Sequence, residues 1–124
     1  MPAYQLSGQA ALVTGAASGI GYATAAMLGR GGARVAVNFL PGDPRGAEAL
    51  ERLRAVGVDA IAAPGRIGTP GGEEAMVEAA VAALGRLDLL VNNAGTPGAR
   101  ALIPGDRLDD MDDALWDAVL STNL

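Results

Sequence analysis

Short apolar segments alternate with amphipathic segments along most of the chain. The apolar segments predict buried strands, whereas the amphipathic segments place apolar residues three or four positions apart and predict helices. Strands that alternate with helices predict an α/β fold, with a parallel sheet and helices on both of its faces. In chain order the pattern predicts strands over Gln9–Thr14, Arg34–Asn38, Asp59–Ala63 and Leu87–Val91, and helices over Gly19–Gly29, Arg45–Val56, Glu73–Leu84 and Asp109–Asn123.

The first predicted helix has an apolar face that we expect to pack on the sheet. Its members recur at helical spacing and are Ile20, Ala23, Met27 and Leu28. The predicted fourth strand is a continuous apolar run, which is typical of a strand buried on both faces.

A glycine-rich turn, Thr14–Gly21, joins the first strand to the first helix. Its glycines at 15, 19 and 21 follow the spacing G-x-x-x-G-x-G, and no Gly-Lys-Ser/Thr of a P-loop follows them. Glycines let a backbone approach a ligand closely, and a helix N-terminus favours a phosphate group. The turn therefore predicts a nucleotide site, although a glycine-rich turn that only packs helix against strand would look similar.

Composition narrows the possible chemistry. The 124 residues include no cysteine and no histidine, so we expect no thiolate nucleophile and no metal site. A net charge of −5 argues against nucleic acid or an anionic membrane as partner. No apolar run is long enough to span a bilayer, and the first five residues lack signal-peptide character, so we expect a cytoplasmic protein.

Two asparagine motifs follow later in the chain. Asn92-Asn93-Ala94-Gly95 stands directly after the fourth predicted strand, where amide side chains can tie neighbouring strand ends together. Asn123 lies in the last predicted helix, where a buried amide needs a hydrogen-bond partner. Each motif alone also fits an ordinary turn or helix end.

Together, the three motifs resemble the classical short-chain dehydrogenase/reductase family, and the resemblance covers essentially the whole chain. It implies a Rossmann-like, doubly wound parallel sheet of four strands in the order 3-2-1-4. It also implies hydride transfer between a nicotinamide cofactor and an alcohol or carbonyl substrate. The implied cofactor-binding residues are Thr14, Gly15, Ser18, Gly19, Ile20, Gly21, Asn38, Ile67, Asn93, Ala94 and Gly95, and the implied catalytic residue is Asn123, which would hold a water in a proton relay.

The end of the second strand bears on which nicotinamide cofactor binds. An acid there would bond the ribose 2′-hydroxyl and select NAD, but the position resembles neutral Asn38. The next acid, Asp43, lies further along the loop, and Arg45 could reach a 2′-phosphate unless it is a solvated helix residue. We therefore expect NADP rather than NAD.

After the third strand the chain departs from the family pattern. The family often has an aspartate followed by an apolar residue beside the adenine ring. Here Arg66 occupies the acidic position, and Ile67 matches the apolar one. Arg66 cannot accept a hydrogen bond from the adenine amino group, although it could stack on the ring.

The resemblance also implies a catalytic serine and a Tyr-x-x-x-Lys pair, which the chain lacks. It contains no lysine, and Tyr4 and Tyr22 lie near the wrong motif, where Tyr22 would pack or line the cofactor groove. We expect residues 1–124 to be the N-terminal part of a single domain and to have no enzymatic activity alone. We expect this chain to associate through its uncovered fourth strand, and the full-length protein to form a homo-oligomer. A non-catalytic nucleotide-binding or regulatory module is the alternative.

Overall fold

The computed structural model describes residues 5–96 and 103–123. The statement on Tyr4 lies outside this range. The strands are β1 (Ala10–Val13), β2 (Arg34–Phe39), β3 (Ala60–Pro64) and β4 (Leu89–Val91). The helices are α1 (Gly19–Arg30), α2 (Pro44–Ala55), α3 (Gly72–Leu84) and α4 (Asp113–Asn123), with a short 3₁₀ turn over Leu108–Asp110.

The four strands form one parallel sheet in the order β3-β2-β1-β4. Val13, at the end of β1, pairs with Val37 of β2 and with Val91 of β4. This register brings the carboxyl ends of β1, β2 and β4 to one edge of the sheet. The predicted Rossmann-like fold and its 3-2-1-4 order are confirmed.

Alternate strand residues point to opposite sides of the sheet, and each side packs in a core of its own. On one face, Val13, Val35 and Val37 pack in a core with α1 and α2. On the other face, Leu12 and Ala36 pack in a second core with α3. The helices therefore lie on both sides, as the alternating pattern predicts.

The predicted apolar face of α1 is wrong. Ile20 is 79% exposed and Met27 is 65% exposed, whereas the helix buries Gly21, Ala25 and Ala26. Small residues give the helix its close approach to the sheet, so their low hydrophobicity conceals the true packing face. Leu28 is the one member of the predicted face that packs against the core.

The last helix starts later than predicted. Asp109 lies in the 3₁₀ turn, and α4 begins at Asp113. The Asp112 carboxylate accepts a hydrogen bond from the Leu115 backbone N–H at 2.8 Å, which is the interaction of a helix N-cap. Among the helices of residues 5–96 and 103–123, none is both long and apolar enough to cross a membrane.

β4 is shorter than predicted and lies at the edge of the sheet. It spans only Leu89–Val91, and Leu90 is 51% exposed rather than buried on both faces. The residue before it, Asp88, accepts hydrogen bonds from the Ala10 N–H and the Arg86 guanidinium. These bonds hold the pKa of the Asp88 carboxyl below its ordinary value, the Arg86 bond contributing most. The expected association through β4 stays a prediction.

The contact between α1 and the segment before β3 gives a test of the packing. A Cβ added at Gly29 would overlap the Val58 side chain, with Cγ2 only 2.7 Å away. We predict that Gly29→Ala lowers the free energy of unfolding by about 1–3 kcal/mol, since overpacking outweighs the gain in helix propensity. Urea unfolding followed by circular dichroism measures the change.

Gly105→Ala is the matched control, because nothing lies within 4 Å of a Cβ at that position. Combining Gly29→Ala with Val58→Ala should recover part of the loss caused by the first substitution. A Gly29→Ala protein as stable as the parent chain would contradict the close packing of α1.

Candidate functional site

The Thr14 hydroxyl fixes the glycine turn to the end of β4. Its oxygen accepts hydrogen bonds from the backbone N–H groups of Asn93 at 2.9 Å and Ala94 at 3.0 Å. The same hydroxyl lies 3.4 Å from the Val91 carbonyl, to which it donates. Thr14 is buried, so these bonds satisfy polar groups that water does not reach.

The Asn93 amide makes a second tie between the same two strand ends. Its Nδ2 donates to the carbonyl oxygens of Thr14 and Gly15, both at 3.1 Å. This is the tie that the sequence predicts for the asparagine pair, made here by its second member. The turn after β1 and the segment after β4 therefore form one connected backbone platform.

The glycines of the turn have separate geometric reasons. Gly15 has a φ of 60°, and a Cβ there would lie 2.9 Å from the Ala94 Cα. Gly19 also has a positive φ, 59°, but open space lies around it. A Cβ at Gly21 would collide with the Gly15 carbonyl and lie 2.5 Å from the Asn93 Nδ2. Gly15 and Gly21 are thus required by packing, and Gly15 and Gly19 by backbone conformation.

The N-terminus of α1 is open to a ligand. Ser18 is the N-cap residue in extended conformation, yet its hydroxyl makes no capping hydrogen bond, and the first turn contains no acidic residue. The first N–H groups of a helix lack intrahelical partners, and the helix dipole places partial positive charge there. Such an end favours an anion.

Asn38 lies at the end of β2, as the sequence predicts, but its side chain is buried and bonded to the protein. It is only 2% exposed, and its Oδ1 accepts a hydrogen bond from the Gly15 N–H at 3.1 Å. Its Nδ2 donates to the carbonyls of Ala63 at 2.9 Å and Gly65 at 3.2 Å. The amide joins β2 to the glycine turn and to β3, so Asn38 supports the floor of the site. Its predicted contact with the cofactor stays a prediction.

A cavity of about 530 Å³ lies along this edge of the sheet. Its size falls in the range of small-molecule sites. Of the predicted cofactor-binding residues, those that line it are Gly15, Ser18, Asn38, Ile67, Asn93, Ala94 and Gly95. Those that do not are Thr14, which lies beneath the turn and lines a smaller cavity beside α3, together with Gly19, Ile20 and Gly21.

An ion pair lies at the rim of this cavity, beyond the end of β2. The Arg45 guanidinium donates to both oxygens of the Asp43 carboxylate, with Nη2 2.8 Å from Oδ2. The hydrogen bonds from the Arg45 side chain, and then from its backbone N–H, hold the pKa of Asp43 below its ordinary value. Asp43 is thus a charged residue of the site. Sequence reasoning placed this residue too far along the loop.

The loop after β3 supplies the next part of the rim, with Gly65, Arg66 and Ile67. Ile67 is partly buried and packs against the core on the α3 face. Arg66 is exposed at the cavity. Tyr22 does not line the cavity; it packs against the α1 and α2 core, with the Arg52 guanidinium 4.5 Å from its ring centre.

Asn123 joins the end of α4 to the segment after β4. Its Oδ1 accepts from the Thr96 N–H and its Nδ2 donates to the Thr96 carbonyl, both at 2.9 Å. Its Oδ1 would lie 3.1 Å from a Cβ at Gly95, so Gly95 leaves the room that the amide uses. Asn123 lines the smaller cavity of about 380 Å³ rather than the larger one.

Sequence reasoning missed several lining residues at the end of β2, after β4 and within α4. The missed residues are Phe39, Leu40, Thr96, Ala118 and Thr122. The first two were foreseeable, because ligands in open α/β sheets bind beyond the carboxyl ends of the strands. The residues of α4 carry no comparable signal.

Comparison with known proteins defines the class to which this fold and site belong. The short chain dehydrogenase family model matches residues 9–124. The chain therefore belongs to the short-chain dehydrogenase family, whose members are oxidoreductases, and the predicted resemblance is confirmed.

Three relatives illustrate the match. The 3-oxoacyl-acyl-carrier-protein reductase FabG of Staphylococcus aureus (strain Mu50 / ATCC 700699) is 36% identical over 116 residues, which are 94% of this chain and 45% of that protein. A short chain dehydrogenase from Burkholderia cenocepacia J2315, solved in complex with NADP, has a TM-score of 0.83 and 36% identity over 97% of this chain and 46% of that one. A relative from Burkholderia phymatum, solved in complex with NAD, has a TM-score of 0.83 and 26% identity over 98% of this chain and 41% of that one.

The chain thus spans less than half the length of these relatives. What it does contain fits a nicotinamide dinucleotide. The positive-φ glycines and the uncapped Ser18 leave the N-terminus of α1 open for a pyrophosphate, and the cavity continues from there past the ends of β2 and β3.

The Thr14 ties predict a measurable loss when the hydroxyl is removed. Thr14→Val keeps the shape but leaves the Asn93 and Ala94 N–H groups without their acceptor. We predict a decrease of about 1–3 kcal/mol in the free energy of unfolding, the cost of buried unsatisfied donors. Chemical denaturation measures it.

Thr24→Val is the matched control, because the Thr24 hydroxyl makes only an exposed hydrogen bond to the Ile20 carbonyl one turn earlier in α1. The control should change the stability by less than about 0.5 kcal/mol. Equal effects of the two substitutions would contradict a special role for Thr14.

Proposed function

We propose that the larger cavity binds a nicotinamide dinucleotide, with the pyrophosphate at the N-terminus of α1. The observation that carries this proposal is the glycine turn: Gly15, Ser18 and Gly19 leave an uncapped helix end facing a cavity at the carboxyl edge of the sheet. The adenosine end then lies over the loops after β2 and β3, because in folds of this type the end of the second strand binds the adenosine ribose, and β2 and β3 lie on the same side of β1. Ala94 and Gly95 form the opposite wall.

The balance of charge in the cavity supports NADP over NAD. Arg45 and Arg66 line it together with one acid, Asp43, so these side chains sum to one positive charge. The chain as a whole carries −5, which makes a positive cavity a local feature. Relatives in complex with either cofactor are known, so the preference depends on these side chains.

For the protein as a whole we propose reduction or oxidation of an alcohol or carbonyl substrate. The cofactor, when bound, supplies or accepts the hydride. In this chain Ala94 and Gly95 orient it, and Asn123 holds the end of α4 against Thr96, beside the cavity. A protein with only a binding or regulatory role is less well supported, because the match with oxidoreductases runs over residues 9–124.

The remaining expectations stay predictions: residues 1–124 as the N-terminal part of one domain, a cytoplasmic location, and a homo-oligomer at full length. The lack of any lysine still predicts that the purified chain alone has no dehydrogenase activity.

The cofactor proposal is tested by fluorescence titration of the purified chain with NADPH and NADH, with circular dichroism as the check of folding. We expect saturable binding of both, with NADPH bound about tenfold more tightly, which corresponds to roughly 1.4 kcal/mol. Gly19→Val is the matched variant, because it places a bulky side chain at a positive φ in the open part of the turn. This substitution should weaken the binding of both cofactors.

Absence of binding to a folded chain would overturn the proposed function. Equal affinity for NADPH and NADH would overturn only the preference for NADP. NAD(P)H-linked turnover by the 124-residue chain would contradict the prediction that it is inactive.

A further inference from the structure

The two arginines that line the larger cavity differ in what holds them. The Arg45 guanidinium makes three hydrogen bonds to the Asp43 carboxylate, which neutralises its charge locally. The Arg66 side chain makes no hydrogen bond or ion pair with any residue in the part of the chain that the structure describes. Among the described residues that line this cavity, Arg66 is therefore the cation without a neighbouring counter-charge.

The backbone that carries Arg66 is firmly placed. The preceding Gly65 donates its N–H to the Phe39 carbonyl at 3.0 Å, and its carbonyl accepts from the Asn38 amide at 3.2 Å. A side chain at Gly65 would press on Met76, 3.3 Å away. The guanidinium thus extends from a fixed point on the β3 side of the cavity.

The sheet order shows on which side of the pyrophosphate site Arg66 lies. The pyrophosphate site at α1 follows β1, and the loops after β2 and β3 lie successively further from it on one side. Because the end of the second strand binds the adenosine ribose in folds of this type, an anion near Arg66 is on the adenosine half, away from the pyrophosphate. On that half, the anionic group that NADP carries and NAD lacks is the ribose 2′-phosphate.

We propose that Arg66 is the residue that selects NADP, by binding the 2′-phosphate with its guanidinium while its plane lies against the adenine. A planar guanidinium suits both contacts. The Asp43–Arg45 pair plays a minor part, because moving Arg45 to a phosphate would leave the Asp43 carboxylate unpaired beside it. This inference rests on the proposed binding of a nicotinamide dinucleotide.

The test compares NADPH and NADH affinities of the purified chain and four variants by fluorescence titration. Arg66→Ala should weaken NADPH binding at least about tenfold and change NADH binding less than about threefold, as expected for loss of one charge-assisted contact. Arg66→Lys keeps the charge but not the planar fork, so it should retain part of the preference. The double variant Asp43→Asn with Arg45→Gln removes the ion pair without changing net charge and should alter the ratio less than about threefold.

Arg30→Ala is the matched control, because Arg30 is an exposed arginine in the last turn of α1 and does not line either cavity. It changes the net charge as Arg66→Ala does and should leave the ratio of affinities unchanged. Raising the salt concentration should weaken the binding of NADPH to the parent chain more than the binding of NADH. Arg66→Ala should abolish that difference in salt dependence.

The outcomes separate the two proposals. If the folded parent chain binds neither cofactor, both the proposed function and this inference are contradicted. If it prefers NADPH and Arg66→Ala keeps that preference, Arg66 is not the selecting residue, whereas the proposed function stands. If Arg66→Ala loses affinity for both cofactors equally, the selective role of Arg66 is also overturned. If Arg66→Ala unfolds, Arg66→Lys and the salt dependence of the parent chain decide.

Discussion

The hydrogen bonds between the turn after β1 and the segment after β4 are the constraint on which the site depends. Thr14 and Asn93 supply them, one through a hydroxyl that accepts two backbone N–H groups and one through an amide that donates to two carbonyls. They hold Gly15 against Ala94 so closely that a side chain has no room. At this point the cavity wall is therefore backbone, and the Thr14 and Asn93 side chains hold it in place.

Asn38 extends the same principle to the other side of the turn. Its one amide joins Gly15 to a carbonyl in β3 and to another just after β3, so the ends of β1, β2 and β3 are fixed relative to one another. The charged groups, Asp43, Arg45 and Arg66, lie outside this framework at the rim. In the proposed function, the polar floor fixes where a dinucleotide lies, and the charged rim distinguishes between dinucleotides.

The order of strands and helices could be predicted from the sequence because the continuous apolar runs of β1 and β2, which are buried on both faces, differ clearly from the helical spacing in α2. The face of α1 could not, because Gly21 and Ala25 bury little apolar area and are chosen for close approach. Similarly, an asparagine at a strand end looks the same whether it contacts a ligand or a neighbouring carbonyl, so only the structure assigns Asn38. The Asp43–Arg45 pair depends on the path of a Pro/Gly loop, which the sequence pattern does not specify.

The central claim is that the carboxyl edge of the sheet, and no other part of this chain, binds the dinucleotide. Backbone amide chemical shifts of the isotope-labelled chain during titration with NADP test it most directly. The account predicts shifts that saturate together at Gly15, Ser18, Gly19 and Gly95, while Gly57 and Gly85, which are not in the cavity lining, stay unchanged. Saturable shifts at Gly57 and Gly85 with none in the glycine turn would contradict it.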